Sequence, residues 1–289
     1  MEKTSRPLPG SGPPVMNIIL LEASELDPNA EVRLTDLRAR HLLGVLKVNL
    51  GQRVRVGVLD AMQGEGEVIA IDQGAVTLRC QCTEPGPLPG NDTLLLAFPR
   101  PKVLLRCLEH AAALGFGQIV LFRSRRVEKS HLSSHAVEPS AIDSHLRRGL
   151  EQSRRTHRPR VHLVSRFREL VEEQLALLVP VSNRFVADTD AAEEAALAPV
   201  SGAGLSLVIG PEGGLSEHEL EQFVLHGFRL VRAGQQPLRV ETAVAYLSGQ
   251  LRAARALAGR NTEQSPASTS HLEFVPAPFS DRGARGPSK

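Results

Sequence analysis

The run Leu205-Ser206-Leu207-Val208-Ile209 stops at Gly210-Pro211-Glu212-Gly213-Gly214 and gives way to Leu215-Ser216-Glu217-His218-Glu219-Leu220. Without polar alternation, the run reads as a strand covered on both faces, which places it in a parallel sheet between layers of helix. Ser216 and Glu219 have the Ser-x-x-Glu spacing of a capping box, so a helix starts at about Glu217; Gly227, after His226, supplies its C′ residue. The glycine-rich loop therefore lies at the carboxyl end of a central strand, where open α/β sheets bind ligands. Glycines let main chain approach a ligand without Cβ interference, and Pro211 stiffens the turn. The loop matches neither G-x-G-x-x-G nor G-x-x-x-x-G-K-[ST], no lysine follows it, and Glu212 would repel a phosphate. It suits a ligand with a positive centre, or one read chiefly by backbone groups; a plain strand-to-helix turn is the structural alternative.

The segments upstream repeat the same rhythm. KVLLRCLEHAAALG has helical periodicity with Gly115 as its C′ residue, followed by QIVLF as strand, PSAIDSHLRRGLEQSRR as helix and RVHLV as strand. FRELVEEQLALL then reads as helix, RFVA as strand, and an Ala-rich stretch near Asp190 to Leu197 as helix. Such alternation predicts an α/β domain over residues 92–260. Residues 16–83 differ: NIILLE, RVRVGVLD, GEVIAI and AVTLRC are short strand-like runs with turn signals at Asn49 to Gly51 and Gln73-Gly74. One helical piece, LTDLRARHLLGVL, has Thr35 or Asp36 as its N-cap, and the set suggests a small β-barrel. Residues 84–91, EPGPLPGN, read as a linker, and residues 1–15 and 261–289 as disordered tails rich in Pro, Gly and Ser.

Composition narrows the function. With 3% aromatic residues, no Trp and one Tyr, aromatic platforms for stacking bases are excluded as the main mode of binding. Three cysteines, of which Cys80 and Cys82 form C-x-C without a second pair, fit a reduced compartment and no zinc site; two strand residues facing one way is the simpler reading. No apolar run approaches the ~20 residues of a membrane helix, and the first residues lack a secretory signal, so a soluble cytoplasmic protein without membrane contact is expected. The net charge of +2 hides local clusters. Arg147, Arg148, Arg154, Arg155, His157, Arg158 and Arg160 crowd one segment, and Arg123, Arg125, Arg126 and Lys129 follow a strand. Phosphate binding is the functional reading of both, a solvated face the structural one. Arg38, Arg40, His41 and Lys47 add cations in the barrel.

Beyond the helix from Glu217, FRLVRAG reads as a strand ending in glycine. In QQPLRVETAVAYLSGQLRAARAL, Pro237 blocks helix before it and Glu241-Thr242 opens a long one. IGPEGGLSEHELEQFVLHGF followed by AGQQPLRVETAVAYL resembles the carboxyl-terminal signature of the SPOUT methyltransferases, specifically the RsmE family of 16S ribosomal RNA uridine-N3 methyltransferases. HLLGVLKVNLGQRVRVGVLDAMQGEGEVIAI resembles that family's amino-terminal PUA-like barrel, and LEQSRRTHRPRV its glutamine-serine-arginine segment. The resemblance extends from about Met16 to Gly259.

The resemblance implies a SPOUT domain with a parallel sheet and a deep trefoil knot, an exception to unthreaded connections, preceded by a PUA-like RNA-binding barrel and assembled as a homodimer. It implies S-adenosylmethionine as cofactor, held by Gly210, Pro211, Glu212, Gly213 and Gly214 on one wall and by Ala233, Gly234, Gln235, Pro237, Leu238 and Arg239 on another, with Val186 and Ala187 nearby. The substrate would be 16S rRNA or the small ribosomal subunit. Uridine N3 must lose a proton, so Arg239 is a candidate to stabilise a uracil anion and Glu241 or Glu212 to take the proton. A first-turn carboxylate favoured by the helix dipole is the structural reading of Glu241. Candidate RNA contacts are Arg38, His41, Lys47, Arg123, Arg125, Arg126, Arg154, Arg155 and Arg158. The family's K-x-x-E-L-G segment reads His110-Ala111-Ala112-Ala113-Leu114-Gly115 here. Ala233 replaces a leucine, Val240 a threonine, and Lys47-Val48 an Arg-Leu pair. Those departures keep two alternatives open: a paralogue acting on another RNA position, and a catalytically silent RNA-binding protein.

Overall fold

The computed structural model describes residues 18–127, 134–179, 183–200, 202 and 204–263. The tail expected at 1–15, most of that at 261–289, and Lys129 lie outside them.

Strands β1 (Ile19–Leu21), β2 (Glu31–Leu34), β3 (Arg53–Val58), β4 (Met62–Asp72) and β5 (Ala75–Pro85) form one sheet in the order β1-β3-β4-β5-β2. The β1 and β3 strands pair in parallel and the other neighbours antiparallel. No ladder joins β1 to β2 among the described residues. Of this sheet, β2 is the strand missing from the sequence reading: it is four residues long and half charged, and its Glu31 faces Arg79 of β5 across a 2.8 Å ion pair. Helix α1 (Leu37–Gly44) starts at Asp36, whose side chain accepts from the Arg38 backbone N–H, and packs Ala39 and Leu42 on the sheet. Cys80 and Cys82 share one face of β5, as the C-x-C spacing predicts, and burial pushes the Cys80 thiol up to about 12.

Strands β6 (Thr93–Ala97), β7 (Gln118–Phe122), β8 (Arg160–Val164), β9 (Arg184–Ala187), β10 (Ser206–Ile209) and β11 (Arg229–Val231) form a six-stranded parallel sheet, ordered β11-β9-β10-β6-β7-β8. Alternate residues feed two cores. Leu94, Leu96, Ile119, Leu121, Phe185, Leu207 and Ile209 pack with helices α2 (Pro101–Ala113), α3 (Pro139–Ser153) and α5 (Val240–Glu263). Leu95, Ala97, Val120, Phe122, Val186 and Val208 face the other side, against helix α4 (Glu217–Leu225) and the helical residues 167–178. Each fully buried Leu, Ile, Val or Phe contributes up to about 1.5–3 kcal/mol of transfer free energy, which is why these strands contain no polar alternation.

Two sequence expectations change. FRELVEEQLALL is helical but contains a π-turn, Leu170–Gln174, between the α-turns Phe167–Glu169 and Leu175–Leu178. The Ala-rich stretch 190–197 forms only the 3-10 turn Ala195–Leu197. Glu193 and Glu194 are drawn to Arg229 and Arg232, and Glu194 bridges Arg232 in parallel fashion, so the segment runs extended beside β11 instead of coiling.

The two units meet through β1. Ile19 and Leu21 enter the core of the five-stranded sheet while Ile18 and Leu20 enter that of the parallel sheet. The Ile18 N–H donates to the Glu151 carbonyl at the end of α3, and the Thr156 hydroxyl to the Ala61 carbonyl at 2.9 Å.

Candidate active site at the carboxyl end of the parallel sheet

The carboxyl ends of β6, β9, β10 and β11 open onto a cleft of about 1020 Å³. Residues 210–214 form one wall. There the Gly214 N–H donates to the Pro211 carbonyl at 2.8 Å, closing a tight turn, and Gly214 takes φ +71°, which a side chain would strain. Three contacts anchor this turn to neighbouring elements. The Glu212 carboxylate accepts from the Arg100 backbone N–H at 3.0 Å, tying the turn to the start of α2. Arg126 Nη1 donates to the Gly213 carbonyl at 2.7 Å. The capping box is present as read: Ser216 Oγ accepts from the Glu219 N–H, and Glu219 Oε2 accepts from the Ser216 N–H and hydroxyl at 2.8 and 2.9 Å. Buried Glu219 also accepts the Arg125 N–H at 2.7 Å, so one carboxylate fixes both the helix start and the strand-following segment 123–127.

The opposite wall runs from Ala233 to Glu241. The Arg239 carbonyl accepts from the Ala243 N–H at 2.8 Å to begin α5, while its side chain stands exposed at the cleft with no carboxylate partner among the described residues. Glu241 is buried in the first turn of α5; its Oε1 lies 3.3 Å from Arg106 Nη1, and its carbonyl 3.2 Å from His110 Nδ1. His110, which stands where the resemblance leads one to expect lysine, thus touches the wall of the site. Burial, followed by the charges of Glu241 and Glu212, pushes the Cys107 thiol up. Cys107 is therefore a protonated, apolar support for the cleft and no nucleophile.

Of the residues named from the sequence, Ala187, Gly210, Pro211, Glu212, Gly213, Gly214, Ala233, Gly234, Pro237, Leu238, Arg239 and Glu241 line the cleft. Val186 does not; its side chain enters the core on the α4 side. Gln235 does not either, whereas its neighbour Gln236 does. Arg100, Arg106, Asp188, Thr189, Asp190 and Glu217 also line it and were not named from the sequence. Acidic residues directly after the RFVA strand were a readable signal for Asp188 and Asp190, since ligand-contacting carboxylates often follow such strand ends. Arg100 reaches the site at the N-cap of α2, just after β6, whose run TLLLA carries no periodic signature, and Arg106 reaches it from within α2.

The cations expected to touch RNA divide sharply. Arg38 is held inside the first unit by Glu25, Asp36 and the Leu20 carbonyl, and the Glu25 contact keeps its guanidinium still more firmly protonated. Asp36 is correspondingly held below the usual carboxylate range by its bond to Arg38. Arg158 bonds Asp60 and Asp143, joining the two units. Protein carboxylates already pair with both Arg38 and Arg158. Arg154 caps α3 with φ +56°, and Arg155 Nη1 meets the Leu88 carbonyl at 3.3 Å. His41 is half-buried, with its carbonyl closing α1, and Lys47 is exposed at φ +49°. Arg123, Arg125 and Arg126 follow β7 and form no ion pair among the described residues, and of the three Arg126 touches the glycine-rich turn.

Comparisons with known proteins agree with this architecture. A family model described as an RNA methyltransferase domain matches residues 87–252. A curated relative from Treponema pallidum (strain Nichols), named ribosomal RNA small subunit methyltransferase E, is 29% identical over 234 residues, covering 79% of this chain and 87% of its own. The same name belongs to a Bacillus subtilis (strain 168) relative, 23% identical over 239 residues and covering 79% and 92%. Among solved structures, a ribosomal RNA small subunit methyltransferase E from Neisseria gonorrhoeae bound to S-adenosyl methionine has a TM-score of 0.62 at 22% identity, over 84% of this chain and 98% of that one.

Proposed function

This chain belongs to the RNA methyltransferase domain family, and on that premise we propose that it methylates N3 of a uridine in the 16S ribosomal RNA of the small subunit, with S-adenosylmethionine as donor. The names of its relatives and the RsmE resemblance support that substrate. The observation that carries the reading is the cleft, where the glycine-rich turn and the Ala233–Glu241 wall converge at the carboxyl ends of parallel strands.

The cleft fits the cofactor. Pockets for small ligands run to about 300–1,000 Å³, so 1020 Å³ leaves room for a nucleoside-sized molecule. Ile209, Leu215, Leu220 and Val231 offer apolar surface to a base, and Asp188, Asp190, Glu212 and Glu241 offer carboxylates to cationic centres. When bound, S-adenosylmethionine supplies an electrophilic methyl group on a sulfonium. The protein's own part is to align that group with the nucleophile and to manage one proton. Arg239 has no carboxylate partner among the described residues and is proposed to present its charge to a developing uracil anion. Glu241 is the proposed acceptor of the N3 proton; its burial and its contact with Arg106 support that reading.

The α/β unit is read as a SPOUT domain with a trefoil knot, residues 92–260, and the first unit, 16–83, as a PUA-like barrel that grips RNA with Lys47 and His41. Arg123, Arg125 and Arg126 are proposed to extend the RNA contact after β7, with Arg126 at the cleft beside the turn that it braces. A homodimer is proposed through the exposed Leu238 and Tyr246 beside the cleft. The proposed compartment is the cytoplasm; no helix among the described residues is long and apolar enough to cross a membrane.

The test is methyl transfer from labelled S-adenosylmethionine to 30S subunits from cells lacking their own enzyme, with mass mapping of the modified nucleotide. We expect 3-methyluridine in 16S RNA. Cofactor binding without transfer, or label on another nucleotide, overturns the assignment.

A further inference from the structure

A second cavity, of about 410 Å³, opens at the other end of the parallel sheet and is lined in part by Asn91, Asp92, Gly115, Arg155, Arg252 and Arg255. Asp92 precedes β6 and Gly115 precedes β7, so this cavity lies at the amino ends of the strands, roughly 17 Å from the carboxyl-end cleft by the length of a five-residue strand. Three guanidinium groups face one carboxylate. Arg252 Nε and Arg255 Nη1 bond buried Asp92 at 2.7 and 2.8 Å, and Arg252 also bonds the Leu114 carbonyl while lying 4.9 Å from the Phe116 ring centroid. These contacts clamp α5 to the sheet and occupy the carboxylate. Arg155 is left without one: among the described residues its guanidinium meets only the Leu88 carbonyl, at 3.3 Å. It lies so close over Gly115, at φ +73°, that a Cβ there would come within 2.4 Å of Cζ. Desolvation and the neighbouring charge of Arg252 pull its pKa down. A half-buried cation next to another cation is unfavourable until an anion joins it, and the guanidinium fork matches phosphate oxygens.

We propose that this cavity binds a backbone phosphate of the RNA, a second contact remote from the cleft. The proposal rests on the RNA methyltransferase reading above. It is tested on the full chain by titration with purified 16S ribosomal RNA across about 50–200 mM salt, the range over which phosphate contacts lose affinity. Arg155→Ala should weaken binding about tenfold and reduce the slope of log affinity against log salt by about 0.7–0.9. Asn91→Asp, a near-isosteric change at an exposed rim position, should weaken binding in the same direction and serves if Arg155→Ala does not fold. An unchanged slope in the folded variants overturns the proposal. Sodium pyrophosphate is titrated in parallel; if it binds the wild type and not the variants while their RNA slopes are unchanged, the cavity takes free phosphate and the RNA assignment fails. Wild-type methyl transfer to 30S subunits is followed on the same preparations. Its absence sinks the parent reading, whereas transfer with unaltered variant binding sinks the second contact alone.

Discussion

Two groups of arginines in the α/β unit look alike in the sequence and meet different surroundings. In residues 147–158, Arg147 bonds Glu22 and Asp143, Arg148 lies 3.6 Å from Glu109, and Arg158 holds Asp60 and Asp143. Around the cleft, the guanidinium groups of Arg126 and Arg239 have no carboxylate partner among the described residues. Arg147 and Arg158 draw Glu22 and Asp60 from the other unit and therefore work as mortar between the two, whereas Arg155 in the same stretch meets no carboxylate among the described residues. The second group keeps its charge for something outside the chain. Cation density alone does not separate an RNA contact from an interdomain strut; the partner does.

The sharpest way to break this comparison is Arg239→Ala. With no internal ion pair to lose, the variant should melt within about a degree of the wild type while turnover falls about 10²–10³-fold, the scale of losing one charge-stabilising group. Cofactor affinity should stay within a few-fold by calorimetry. Preserved turnover would remove Arg239 from the chemistry. Next in size is Glu219→Ala. Its buried carboxylate satisfies three donors around the glycine-rich turn, so the loss should be about 3 kcal/mol, a fall in Tm of about 6–12 °C. Weaker cofactor binding should accompany it, since the same carboxylate shapes the turn. A stable variant with normal cofactor affinity would mean that the turn holds its shape unaided. Smaller still is Arg158→Ala. One-third of that side chain is exposed, so screening limits its pairs to about 1 kcal/mol, a Tm change of about 2–4 °C, and the salt dependence of RNA binding should not move. A shallower salt slope would place Arg158 on the RNA after all.

Much of what a neighbour in sequence decides was legible, and much of what a neighbour in space decides was not. Asp36 before α1, Gly115 after α2 and the Ser216–Glu219 pair before α4 are local capping chemistry, and each marks its boundary in the structure. The glycine-rich turn and Pro237 to Glu241 announced the two walls of the cleft for the same reason. β6, the strand between β10 and β7, escaped because four apolar residues after Thr93 fit a buried helix as well as a strand. Arg100, just after it, was lost with it, whereas Arg106 lay in a helix that was read, and its partner Glu241 is 135 residues away. In the stretch 190–197, Ala favours helix, but Glu193 and Glu194 find Arg229 and Arg232, more than thirty residues away, and those contacts win. The partners of Arg147 and Arg158 belong to the same category: nothing near residues 147–158 announces Glu22 or Asp60.

Glu151 tests the paired arginines most finely. It sits among them on α3, forms no ion pair among the described residues, and has a pKa raised above the ordinary 4.5, burial outweighing the charges of Arg147, Arg38 and Arg148. With the folded value above the unfolded one, its favourable contribution is complete below the unfolded pKa and is lost as pH rises through the folded pKa. At neutral pH the ionised, desolvated carboxylate is then a mild liability. Glu151→Gln should raise stability at pH 7 by less than about 1 kcal/mol, and the gain should vanish on acidification below the ordinary glutamate range, as seen by thermal melts at the two pH values. If the variant is instead less stable at neutral pH, Arg147 and Arg148 compensate Glu151 as Arg147 does Asp143, and the paired arginines of α3 form a closed charge network.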